Sequence, residues 1–138
     1  MSIRWSPSAT SVRDRGAAAV EMAIIFPLLF LVLAGIVDFG RAFFYQIQLT
    51  NAAREGARAA IVTDGSVADI TARAASSAPA VPDLAVAVEL CGGGVTVTTV
   101  TVSMPMEWFL LQPAMNIIQA GNVLTDTLSS TAVMQCES

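Results

Sequence analysis

The chain has 138 residues with a formal net charge of −4; 54% of them are hydrophobic and 13% charged. A mean hydropathy of +0.65 is too high for an ordinary soluble domain and fits one small domain plus an anchor. Lys and His are absent, which removes imidazole and amine catalysis, and residues 45–138 set three Arg against eight acidic residues, which excludes a phosphate backbone as ligand.

In chain order, Arg4, Arg13 and Arg15 with Asp14 precede an apolar run, Ala17 to Val37, interrupted only by Glu21. A helix of this length spans roughly 31 Å, the thickness of a bilayer core. The basic flank before the run and the acidic balance after it place the N-terminus in the cytoplasm and the C-terminal part outside. A removable signal peptide fits poorly. The core is too long, it holds a carboxylate, and "VDFGRAFF" after it offers no Ala-x-Ala site. Arg13 and Arg15 are split by Asp14, so no twin-arginine signal is present either.

Glu21 admits two readings. Near the inner interface its carboxylate can snorkel into the headgroups at small cost. Alternatively it has a cationic partner in the membrane. A cut after Gly16 would create one, because Ala17 would become a free ammonium one helical turn from Glu21, or within reach of a staggered neighbour's carboxylate.

Pro27 removes one helical hydrogen bond and predicts a kink. Asp38 and Arg41, three apart at the outer end, predict a local ion pair. Phe43, Phe44 and Tyr45 then read as an aromatic interface belt. Residues 46–62 continue the helix into water. Ala52, Gly56 and Ala60 recur at a spacing of four with Ala53 and Ala57 beside them, a small-residue stripe that permits close approach of the protein's own sheet, the expected role, or of a partner subunit. Arg54, Glu55 and Arg58 form the solvated side.

"TDGS" at 63–66 is a turn, and Ser66 followed by Asp69 marks the start of a short second helix over 67–77. "SSAPAVP" breaks it. Leu84, Val86, Val88 and Leu90 alternate as one face of a strand. "CGGG" at 91–94 is a tight connection to a second, Val/Thr strand over 95–103, so the two strands predict a hairpin. The Val parity shifts between Val97 and Val100, which predicts a bulge at Thr98 and Thr99. Residues 104–122, with Met104, Met106, Trp108, Phe109, Leu110, Leu111 and Met115, read as a loop and short helix. The segment either covers the sheet, the expected role, or is an exposed apolar patch that binds a neighbour or rests on the membrane. Residues 123–135 form a third strand with Leu124, Leu128, Ala132 and Met134 on one face. Cys91 and Cys136, both in the external part, predict a disulfide closing about 45 residues. The fold class is therefore α+β: a long N-terminal transmembrane helix, then a small head with a short second helix and an antiparallel sheet of about three strands.

Catalysis would fall to Asp64, Asp69, Asp83 or Ser side chains alone. No paired-carboxylate motif is present, and "GGG" at 92–94 lacks the helix and Lys of a phosphate loop. Two cysteines without His cannot complete a zinc site. No enzymatic activity, cofactor or metal is expected.

"RGAAAVEMAIIFPLLFLVLAGIVDFGRAFF" followed by "LTNAAREGARAA" resembles the TadE-like pseudopilins of tight-adherence (Flp/Tad, type IVc-like) pilus systems. The matching features are Gly16, the small residues 17–19, Glu21, Pro27, "FGR" at 39–41 and "NAAREGAR" at 51–58; Met22 stands where the family more often has Phe. "VTVSMPMEWFLL" and the final "LTDTLSSTAVMQC" look like the family's distal half. The resemblance implies cleavage between Gly16 and Ala17 by a prepilin peptidase, with Glu21 as the assembly carboxylate. It also implies a role in pilus assembly and adherence beside other pilins and the Tad secretion machinery, at the bacterial inner membrane. The implied division is a cytoplasmic leader over 1–16, a transmembrane helix over 17–45, its continuation over 46–62 and an extracytoplasmic head over 63–138. Without cleavage, the same chain would be a single-pass anchored binding protein.

Overall fold

The computed structural model describes residues 11–62, 66–117, 119, 124 and 127–136, and of residues 11–15 only the helical backbone. Residues 1–10 of the expected leader, most of the 63–66 turn with Asp64, and residues 123, 125 and 126 of the expected third strand lie outside the described residues.

One helix dominates. α1 runs from Ser11 to Val62 as 52 continuous residues, through Pro27. At 1.5 Å per residue it is roughly 78 Å long. From Ala17 to Val37 it is apolar on every side but for Glu21, whereas its last part places small residues on one side and Arg54 and Arg58 on the other. α2, Val67–Ser76, starts with a reciprocal cap. The Ser66 hydroxyl accepts from the Asp69 amide, and the Asp69 carboxylate accepts from the Ser66 amide. This is the Ser66/Asp69 signal of the sequence, and it satisfies two otherwise orphaned donors.

Three strands follow: β1 Ala85–Glu89, β2 Val97–Pro105 and β3 Thr127–Gln135. A short helix, α3, Leu111–Ile117, lies between β2 and β3. The sheet is antiparallel in the order β1-β2-β3. α1 lies across β2 and β3 while α2 flanks it on the β1 side, so both helices cover one face. The core joins Leu49, Ala52, Ala53 and Ala57 of α1 to Ile70 and Ala74 of α2 and to Val100, Val102 and Met104 of β2. Each fully buried Leu, Ile or Val is worth about 1.5–3 kcal/mol. The stripe on α1 therefore packs on the chain's own sheet and second helix. Polar ties flank the apolar contact: Gln46 donates from Nε2 to the Ser129 carbonyl at 3.0 Å, and Gln48 Oε1 accepts from the Ala80 amide at 3.2 Å.

The expected bulge in β2 does not form. Pairing is continuous from Val97↔Gln135 to Pro105↔Thr127, and Glu89↔Thr99 extends the other ladder without a slip. The inward positions are Thr98, Val100, Val102 and Met104. Thr98 occupies a core position because its hydroxyl donates to the Glu89 carbonyl at 2.9 Å, which satisfies the buried polar atom. The shift in Val parity thus marks a polar residue inside, not an inserted one. On the open face the paired Thr101 and Thr131 share a 2.9 Å hydroxyl hydrogen bond.

Candidate functional site

Along the first half of α1 the side chains face outward: Ile24 is 72% exposed and Phe26, Leu28 and Phe30 are more than half exposed. A soluble core helix hides one stripe against its own domain. This stretch hides almost none, with only 6% of its most apolar window buried at a mean hydropathy of 2.6, and it is long and apolar enough to cross a membrane. Gly16, Ala17 and Glu21 are exposed on this part of α1, and nothing approaches the Cβ position of Gly16 within 4 Å. The helix separates Ala17 and Glu21 by about one turn, roughly 6 Å of rise.

At the C-terminal end of the run the chain departs from the sequence expectation. Asp38 is completely buried. Its Oδ2 accepts from the Leu110 amide at 2.9 Å and the Leu111 amide at 2.7 Å. The expected pair with Arg41 is present only at 3.8 Å, too long for a hydrogen bond, and Asp38 Oδ1 has no hydrogen-bond partner. Asp38 is thus chiefly the N-cap of α3, supplied from a distant part of the chain. A helix leaves its first amides without intrahelical acceptors, and a carboxylate there also meets the positive end of the helix dipole. Sequence reading missed this partner. The available signal was the start of α3 itself, where Leu110 stands at the capping position that Ser, Thr, Asp or Asn ordinarily fills.

α3 does not cover the sheet. Among the described residues it packs against α1 alone, and none of its seven residues is buried. The reason is occupancy: α1 and α2 already fill the inner face of the sheet. Of the apolar segment, Met104 and Met106 turn into the head and are buried, while Trp108 sets its ring edge-on to Phe39 at 5.4 Å. Phe109 and Ile117 stand out at 73% and 83% exposure. Between α3 and α1 runs an apolar cleft of about 550 Å³, with Ile24, Pro27 and Leu31 on one wall and Leu110, Pro113 and Ile117 on the other.

Cys91 and Cys136 form a disulfide with their Cα atoms 6.1 Å apart. It ties the residue after β3 to the β1–β2 connection, where Gly92, Gly93 and Gly94 all adopt positive φ. The Cys136 amide also donates to the Thr96 carbonyl at 2.9 Å. Among the described residues no group of three His, Cys, Asp or Glu could hold a metal ion. Asp69 is engaged in the α2 cap, and Asp83 lies in the turn before β1 at φ 49°.

Residues 16–58 match the family model described as TadE-like protein. No curated protein and no solved structure matches the chain. The matched segment begins at Gly16, takes in Glu21, Pro27 and Asp38, and ends in the small-residue stripe that seats the head. The family signal therefore lies wholly within α1, and over those residues it supports a TadE-like protein of Tad pilus systems.

Proposed function

We propose that this chain is a pseudopilin that supports assembly of a Tad-type pilus and the adherence that depends on it. The observation that carries the proposal is that the TadE-like segment opens on an apolar stretch of helix, residues 16–30, whose side chains are all exposed. In this reading the anchor is stored in the bacterial inner membrane, N-terminus in the cytoplasm, with α2 and the sheet in the extracytoplasmic space. A prepilin peptidase cuts between Gly16 and Ala17. The new Ala17 ammonium pairs with Glu21 of its own or a neighbouring chain, a contact strengthened where water is excluded. The exposed side chains of α1 exchange lipid contacts for those of other pilin helices. An oxidising compartment outside suits the Cys91–Cys136 bond. A structural role also agrees with the use of Asp38 and Asp69 as helix caps.

The test is the N-terminal residue of the membrane-bound protein, read by mass spectrometry in cells with and without the prepilin peptidase. A start at Ala17 only in peptidase-positive cells supports the proposal. A chain that keeps residues before Ala17 in those cells overturns processing and leaves a single-pass anchor with an external binding head.

A further inference from the structure

The geometry points to a second membrane-inserted element: residues 108–117, with α3 at their centre, lie in the outer leaflet beside α1 and are covered by lipid hydrocarbon. This inference rests on α1 being the membrane anchor. α3 is pinned at Asp38 and lies across the cleft from Pro27, the midpoint of the Ala17–Val37 run. A bilayer that covers that run therefore has to meet α3, which flanks its outer half.

The segment is built for that solvent. Glu107 is exposed, Trp108 pairs with Phe39, and Phe109 onward is uncharged as far as Thr125. Charge, then aromatic ring, then apolar chain is the order met on passing from headgroups into hydrocarbon. The two polar side chains of α3 satisfy one another in part, with Gln112 Nε2 donating to Asn116 Oδ1 at 3.2 Å. Backbone groups in hydrocarbon need internal partners, and a helix beginning there exposes orphan amides. Asp38 accepts from two of them. In water those amides would be hydrated without it. Phe109 and Ile117 border the cleft toward α1 yet leave most of their surface uncovered by the chain, which in the outer leaflet is the ordinary state of a lipid-facing side chain.

The test uses full-length protein with its disulfide intact, so that an introduced cysteine is the sole free thiol. Ile117→Cys, Leu29→Cys and Arg54→Cys are each labelled with an environment-sensitive fluorophore. The proteins are reconstituted in phosphatidylethanolamine/phosphatidylglycerol vesicles containing phosphatidylcholine with a mid-chain doxyl group. Leu29 reports on the anchor and Arg54 on the exposed head. The expected result is that the labels at 117 and 29 lose most of their emission to the doxyl lipid and little to aqueous iodide, with the reverse at 54. Quenching by lipid at 29 but not at 117 overturns the inference while the anchor stands; protection at 117 from both quenchers would then mean that a protein partner covers α3. No lipid quenching at 29 or 117 removes the anchor and the inference together. Phe109→Cys repeats the measurement should the variant at 117 fail to fold.

Discussion

Gly56 of α1 and Val100 of β2 meet so closely that a Cβ on Gly56 would stand 3.0 Å from Val100 Cγ1, with the Ala74 Cβ at 3.4 Å behind it. The helix seats on the sheet at this contact, and the residue type there sets how near the two layers come.

Val100 is fully buried and stiff about χ1, so it has little room to retreat. Gly56→Leu is expected to cost at least about 2 kcal/mol through overpacking. Gly56→Ala should forfeit the gain of up to about 1 kcal/mol that Gly→Ala gives in an open helix. Gly40→Ala, with nothing within 4 Å of its Cβ position, is the control that keeps that gain. Scanning calorimetry of the detergent-solubilised protein decides it. A Gly56→Leu protein as stable as the parent would mean that α1 does not seat on β2 as described.

Asp38 is expected to hold α3 in place. Asp38→Ala removes the acceptor of the Leu110 and Leu111 amides and should speed their hydrogen exchange on the order of tenfold or more, the cost of stranding buried donors. Asp38→Asn keeps one acceptor oxygen and should lie between. Amides of α2 serve as the reference and should not change. Equal protection in parent and Ala variant would rule out the cap.

Breaking the Cys91–Cys136 bond frees a loop of 45 residues. In the chain-entropy account its loss costs about 4 kcal/mol. Cys91→Ser, Cys136→Ser and the double variant should lose nearly the same amount, because all three remove one bond. Denaturant titration with and without reductant measures this. Reductant should shift the parent and leave the variants where they are.

Glu21 touches nothing in the head, so Glu21→Ala should leave thermal stability unchanged. Under the pseudopilin proposal it nevertheless lowers pilus assembly, while Glu21→Asp retains part of it. Piliation counted by electron microscopy beside calorimetry separates the two effects. Normal piliation in Glu21→Ala cells would return Glu21 to the role of a headgroup-facing carboxylate.

The sequence was most legible where the signal is local. Alternation at Val86 and Val88 marks β1, the Ser66/Asp69 spacing marks the start of α2, and the small-residue stripe marks the buried side of α1. Two misreadings share one cause. Thr98 was read as a break in the strand pattern because its inward position depends on an acceptor, Glu89, across the hairpin. Residues 109–117 were expected over the sheet because an apolar segment does not record which surface remains uncovered when it arrives. Asp38 is the sharper case: three residues from Arg41, it looked locally paired, whereas its main partners are amides more than seventy positions on. Spacing along one helix cannot show a contact made between elements.

The unbroken course of α1 also has a mechanical meaning. From Leu28, just past the proline that cannot donate, to Leu49 under the sheet, helical backbone carries any load, without an intervening loop to act as a joint. Tilt or rotation of the buried end is therefore delivered to the head as a lever delivers torque. Because each helical residue turns the axis by about 100°, the bearing of the head around that shaft is fixed by the number of residues between Asp38 and Leu49.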